Sequence, residues 1–81
     1  MTKKQIKKLD AIKDGDECSA AIVHNGLTLA RIDKGLFLQR QPAPIGFAWT
    51  VFAKTRSKAD IYILPTHKVT IFPNNHVRID I

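Results

Sequence analysis

The sequence has one cysteine, one tryptophan, one tyrosine and no long apolar run. A lone Cys18 cannot form an internal disulfide, the usual support of a small secreted domain, so a reducing compartment, the cytoplasm, is expected. No stretch approaches the roughly 18 apolar residues of a membrane span, and no apolar run follows the basic first residues as a secretory signal requires. We therefore expect a soluble protein without a membrane partner.

Acidic residues are also scarce, because seven Asp and Glu oppose thirteen Lys and Arg and leave a net charge of +6. Residues 1–13 carry five Lys and one Asp (+4), residues 14–17 carry three acids (−3), and residues 31–68 carry seven cations and two acids (+5). Two basic regions therefore flank an acidic one. A positive field of this kind attracts nucleic acids, acidic protein surfaces or anionic lipids.

A short helix is predicted at residues 3–13. Thr2 and Gln5 have the spacing of a capping box, and Gly15 suits the left-handed position just after a helix C-terminus. Apolar residues then recur every three positions and form one stripe, made of Ile6, Leu9 and Ile12. The helix is therefore expected to be amphipathic, with its lysines on the opposite side.

From Glu17 onward the apolar period is two, which is typical of strands. Asn25-Gly26 predicts a tight hairpin, residues 33–35 predict a second turn with Gly in its last position, and Pro42 and Pro44 are expected to stop the third strand. The strands predicted from this pattern are 17–24, 27–32, 36–41, 47–53, 61–64, 67–72 and 77–81.

These elements predict a single α+β domain over residues 1–81 that is mostly β. One helix followed by six or seven short antiparallel strands is typical of a small barrel or strongly curved sheet, with the helix closing an open end. The last strand, VRIDI, is expected at a sheet edge. Paired antiparallel with its own copy, it would place Arg78 opposite Asp80, which suggests a homodimer through Val77, Arg78, Ile79, Asp80 and Ile81.

Two groups of cations are candidates for binding phosphate. The first group, Lys54, Arg56 and Lys58, alternates with hydroxyl residues at the predicted tip between two strands, where Arg56 can bind a phosphate through two hydrogen bonds. The second group lies on the polar side of the predicted helix and consists of Lys3, Lys4, Lys7 and Lys8. The alternative for both groups is a solvated surface without a ligand.

Trp49 and Phe52 precede the first group and lie on opposite faces of their strand. An exposed Trp49 is a candidate nucleic-acid-binding residue, because its ring can stack on a base. Burial of Trp49 is the preferred interpretation, since a small domain needs its large apolar side chains in the core, and Phe52 is then outside beside Lys54.

Catalysis and metal binding have little support. His24, His67 and His76 are at strand ends or turns, with no local arrangement that pairs a nucleophile with a base. The acidic residues 14–17 resemble the start of a calcium loop but lack its later ligands, and one Cys with three scattered His does not make a zinc site. We therefore expect no enzyme activity, cofactor or metal.

Two functions remain. The first is a small, basic, non-enzymatic nucleic-acid-binding module that contacts phosphates through the loop and helix cations. The second is a small protein-binding inhibitor or regulator, of the kind that phages and mobile elements encode, which docks on an acidic or nucleic-acid-binding surface of a host protein. Both use the same cations, so the sequence does not separate them.

Overall fold

The computed structural model describes the backbone of residues 1–43, 46–55 and 58–81, and the side chains of the same residues except 40–43, 46 and 47. It contains one helix, α1 (Lys3–Asp10), followed by strands. The strands are β1 (Glu17–His24), β2 (Leu27–Ala43), β3 (Gly46–Ala53), β4 (Ile61–Ile63), β5 (Lys68–Phe72) and β6 (His76–Asp80). The prediction of a mostly β domain with one short N-terminal helix is confirmed.

The capping box predicted at the start of α1 is confirmed. The hydroxyl of Thr2 accepts a hydrogen bond from the backbone N–H of Gln5 at 3.2 Å, and the Gln5 side-chain oxygen accepts one from the N–H of Thr2 at 3.0 Å. These two bonds satisfy backbone donors that a helix N-terminus otherwise leaves without partners.

The helix ends at Asp10, three residues before the predicted end, because residues of β2 form hydrogen bonds with the helix C-terminus and with the segment that follows it. The Gln39 amide donates to the carbonyls of Leu9 and Asp10 at 3.2 and 3.0 Å, where a helix C-terminus lacks its usual donors; the Leu9 carbonyl also accepts a bond from the N–H of Ile12. Beyond Asp10, the N–H of Gly15 donates to the carbonyl of Phe37 at 2.8 Å. Tertiary bonds therefore replace the last predicted turn of helix.

The six strands form one sheet with the order β4-β3-β2-β1-β6-β5. Neighbouring strands are antiparallel, except that β1 and β6 run parallel. The chain thus makes a four-stranded meander and then a hairpin, β5–β6, which returns to the free side of β1. Asn25 and Gly26 both have positive φ, 49° and 79°, as the predicted turn between β1 and β2 requires.

The predicted turn at residues 33–35 is wrong, because β2 is one continuous strand of 17 residues. Gly35 pairs with Cys18 on one side and with Ala53 on the other, at the point where β2 passes from β1 to β3. A Cβ at Gly35 would lie 2.6 Å from the carbonyl oxygen of Phe52, well inside contact distance. Glycine is needed here for close approach of two strands and not for a turn with positive φ.

The length of β2 shows how strongly the sheet curves. Seventeen residues at about 3.3 Å each would span about 56 Å if straight, yet the whole molecule extends only 29 Å along its longest axis. The strand must therefore bend back within the sheet, and its pairing with β3 shifts register between Leu38 and Gln41. Irregularities of this kind increase local bending. The result is a curled half-barrel.

Helix α1 lies across the opening of this half-barrel. The outermost strands β4 and β5 are joined by only four residues, 64–67, which holds the two ends of the sheet within about 18 Å of each other. The helix contributes fully buried Leu9 to a core shared with every strand, and Ile12, two residues after the helix ends, is buried in the same core. The largest fully buried side chains in that core are Trp49, Phe37, Leu9, Ile63 and Ile79.

The expected edge position of the last strand is wrong. Strand β6 lies between β1 and β5 and is paired on both sides. Its residue His76 pairs with Ser19 of β1, and its residue Ile79 pairs with Val69 of β5. Arg78 forms its ion pair with Asp80 of its own strand, at 3.0 Å. A homodimer that pairs two copies of residues 77–81 has no free backbone edge to use, because the neighbouring strands already occupy both.

Candidate functional site

The four lysines of α1, Lys3, Lys4, Lys7 and Lys8, form the surface called here the helix lysine face. All four are exposed, and the first turn of the helix contains no acid. Within the residues that the structure describes, none of the four makes an ion pair or a side-chain hydrogen bond. Their charges are therefore available to an external anion.

This surface is rigid because α1 is fixed to the half-barrel by polar contacts as well as by burial of Leu9. The Gln5 amide donates to the carbonyl of Val69 in β5 at 2.6 Å. The indole N–H of Trp49 in β3 donates to a carboxylate oxygen of Asp10 at 2.9 Å. One contact lies in each half of the helix, so the lysines are held on a defined face of the molecule.

The second predicted group is less available. The ammonium group of Lys54 lies 3.6 Å from a carboxylate oxygen of Glu17, and that of Lys58 donates to the backbone carbonyl of Arg31 at 3.4 Å. Arg56, the third predicted cation, lies outside the described residues. Lys54 and Lys58, called the loop cations below, are thus each engaged with a partner from β1 or β2.

The loop cations share their surface with other charges from β2. Asp33, Lys34, Lys54 and Lys58 line an open groove of about 320 Å³. Arg31 pairs with Asp33 at 2.5 Å, with both side chains well exposed. Exposed pairs of this kind contribute little to stability, but the carboxylates of Asp33 and Glu17 lower the positive potential around the loop cations.

The acidic segment, residues 14–17, separates the helix lysine face from the loop cations. Its residues run alongside β2: the Asp14 carboxylate accepts a hydrogen bond from the N–H of Gln39 at 2.5 Å, and Glu17 pairs with Leu36. Along β2, Lys34 lies beside the loop cations, the next residues lie beside the acidic segment, and Gln39 contacts the end of α1. The two basic groups therefore form two surfaces and not one continuous surface.

Trp49 is completely buried, with no exposed surface, and its indole N–H is bonded to Asp10. The preferred sequence interpretation, a core Trp49, is therefore confirmed, and its use as a base-stacking residue is wrong because neither ring face meets solvent. Phe52 is 38% exposed, as expected from its place on the other face of β3.

Sequence reasoning missed a second aromatic group, Phe72 and His76. The two rings lie opposite each other across β5 and β6, with centroids 5.7 Å apart and planes inclined by 35°. Phe72 is 43% exposed. Its position directly before Pro73-Asn74-Asn75 was the available signal, because the last side chain before a tight turn lies at the rim of a sheet.

The chemistry of possible nucleophiles is limited. The Ser19 hydroxyl and Nδ1 of His76 are 2.7 Å apart, a contact that their distance in sequence concealed. No other side chain of the described residues hydrogen-bonds the second nitrogen of this ring, as a triad would require. Burial raises the pKa of the Cys18 thiol to about 11, so this sulfur is not a thiolate at neutral pH.

The comparisons with known proteins indicate no function, because the chain matches no protein family, no curated protein and no solved structure. Among the described residues, no three His, Cys, Asp or Glu side chains come together as a metal site would need. The one helix among the described residues is too short and too polar to cross a membrane. The surfaces themselves are therefore the basis for a proposal.

Proposed function

We propose that the chain is a small, non-enzymatic nucleic-acid-binding module whose main phosphate-binding surface is the helix lysine face. The observation that carries this proposal is that Lys3, Lys4, Lys7 and Lys8 are exposed on a fixed helix and have no partner among the residues that the structure describes. Lysine ammonium groups bind phosphate oxygens, and the release of condensed counterions then favours binding. The cytoplasm, where such a partner is present, is the proposed compartment.

The loop cations have a secondary role in this proposal. Each must exchange an internal contact for a phosphate: Lys54 its contact with the Glu17 carboxylate, and Lys58 its hydrogen bond to the Arg31 carbonyl. The energy gained from the phosphate is reduced by the energy of the contact that is lost. A ligand that reaches across the acidic segment to the loop would also meet three carboxylates, which repel it.

A binding panel with salt titration tests this function. Dissociation constants are measured for single-stranded and double-stranded oligonucleotides between 50 and 200 mM salt. The proposal expects a linear fall of the logarithm of affinity with the logarithm of salt concentration. Absence of binding to every oligonucleotide at the lowest salt would contradict the function altogether.

A protein partner is the second candidate, and exposed apolar side chains favour it. Leu27 and Leu29, beside the β1–β2 turn, are 69% and 59% exposed, and Ile81 nearby is 58% exposed. The Ile81 carbonyl accepts a hydrogen bond from His24, the residue that pairs with Leu27, so these side chains are at one end of the sheet. Exposed apolar patches are common in protein interfaces.

A pull-down after nuclease treatment tests the second candidate, in which the chain acts as an inhibitor or regulator of a host protein. A discrete protein retained by the chain, and lost when Leu27 and Leu29 are both replaced by Ser, would support it. Tyr62→Ser is the matched control, because Tyr62 is similarly exposed, at 58%, but lies on β4.

A further inference from the structure

The rim of the sheet beside the helix lysine face carries an aromatic pair. Phe72, the last residue of β5, and His76, the first residue of β6, are in register, and their rings contact each other. The hydrogen bond between Nδ1 of His76 and the Ser19 hydroxyl fixes the imidazole ring, because Ser19 lies on β1 at the register position of His76. The pair is therefore an ordered, partly exposed ring surface.

Phe72, one member of this pair, lines a groove that Lys8 of the helix lysine face also lines. Lys8 from α1 lines the groove on one side, and Phe72, Pro73 and Asn75 line it on the other. Its volume of about 380 Å³ falls within the range of about 300 to 1,000 Å³ that is usual for clefts that bind small ligands. A cation and an aromatic ring thus line the same opening.

We propose that Phe72 and His76 form a stacking platform for an unpaired base, which makes the preferred ligand a single-stranded nucleic acid. This inference rests on the proposed function, since the helix lysine face must hold the phosphates of the same strand. A base in a duplex is already stacked and paired, whereas a single strand can turn a base onto an aromatic ring. Lys8 neutralises the adjoining phosphate, and Lys4 lies one helical turn, about 6 Å, further along.

Other exposed aromatic residues do not have this setting. Phe52, on β3, and Tyr62, on β4, belong to the strands at the other end of the sheet from β5. Among the described residues, Phe72 is the exposed aromatic that shares a groove with a lysine of α1. Phe52 and Tyr62 are therefore natural controls for a general effect of surface aromatics.

The test compares Phe72→Leu with Phe52→Leu on an oligothymidylate of about 12 nucleotides and on an abasic strand of the same length. We expect Phe72→Leu to weaken binding of oligothymidylate at least fivefold and to leave the abasic strand unchanged, since stacking is lost and phosphate contacts are kept. Phe52→Leu is expected to change neither. Phe72→Tyr, which keeps an aromatic ring at this position, should bind with the wild-type affinity. The fluorescence of Trp49 reports whether each variant is folded.

The outcomes separate the inference from the function on which it rests. Equal weakening by Phe72→Leu and Phe52→Leu, or equal affinity of the wild type for the thymidylate and abasic strands, would overturn the stacking platform and leave phosphate binding intact. Failure of the wild type to bind any single or double strand at about 50 mM salt would instead overturn the proposed function. A preference for duplex over single strand would also contradict the platform.

Discussion

The helix lysine face and the loop cations are both clusters of lysines that are close in sequence, but the fold gives them different surroundings. On α1, the four lysines lie within about one and a half turns of helix, and the first turn contains no acid. On the loop, Lys54 is next to Glu17 and Lys58 is bonded to a backbone carbonyl of β2. The difference shows that a run of cations indicates a phosphate site only where the folded chain leaves their charges unused.

The cause of this difference is the position of each group relative to the sheet. The polar side of a helix that covers a barrel opening points away from the other strands, so its side chains meet few partners from the rest of the chain. A loop between two strands lies beside the neighbouring strands, and β1 and β2 supply acceptors to it. Four variants, two of them double substitutions, test this comparison in order of decreasing expected effect.

The largest effect is expected from Trp49→Phe, which tests whether α1 is a fixed part of the barrel. The change removes the hydrogen bond to Asp10 and leaves a gap in the core, and together these should lower the free energy of unfolding by about 2 kcal/mol. Urea unfolding followed by circular dichroism measures it. Tyr62→Phe, an exposed site, should change stability by less than about 0.5 kcal/mol, and equal effects of both variants would contradict the anchoring role of Trp49.

Charge reversal on the helix is expected to have the next largest effect. Lys3→Glu with Lys7→Glu should weaken oligonucleotide binding at least about tenfold, because two phosphate contacts become repulsive. Glu is a good helix former and keeps the like-charge spacing of the wild type, so helicity by circular dichroism should be unchanged. Unchanged affinity would show that the helix lysine face does not contact the ligand.

The matched change on the loop should have a smaller effect. Lys54→Glu with Lys58→Glu alters the net charge by the same amount, but we expect a loss of about threefold or less, from the long-range field alone. The measurement is the same titration under identical salt. A loss larger than that of the helix variant would reverse the comparison and make the loop the main site.

The smallest effect is expected from Glu17→Gln, and its direction is opposite. Removing this carboxylate frees the ammonium group of Lys54, so affinity should increase by up to about twofold. Asp80→Asn is the control, because it removes one acidic charge from the ion pair with Arg78 on β6. An equal increase in both variants would attribute the effect to net charge and not to the release of Lys54.

Local patterns in the sequence predicted the elements that depend on local physics. The capping box at Thr2, the positive-φ turn at Asn25-Gly26 and strand β1 were all found where they were expected. Gly35 was misinterpreted because a glycine that permits close approach of two strands looks the same in sequence as a glycine that permits a turn. The close approach of Phe52, Val51 and Ile32 to the Gly35 backbone distinguishes the two.

The candidate site was predictable to a similar extent. The helix lysine face follows from the 3.6-residue period and needed no knowledge of the fold. The engagement of Lys54 and Lys58 depends on partners in distant strands, and so does the meeting of Phe72 with His76 and Ser19. Such contacts are set by strand order and register, and the pairing of β6 between β1 and β5 was not evident from its own alternating sequence.

We infer that the helix lysine face supplies most of the phosphate contacts. The most direct test is the slope of log affinity against log salt for the wild type, the Lys3→Glu and Lys7→Glu variant, and the Lys54→Glu and Lys58→Glu variant. On a single strand each lost contact reduces the slope by about 0.7, so the account predicts a reduction of about 1.4 for the helix variant and little change for the loop variant. A reduced slope in the loop variant together with a wild-type slope in the helix variant would contradict it.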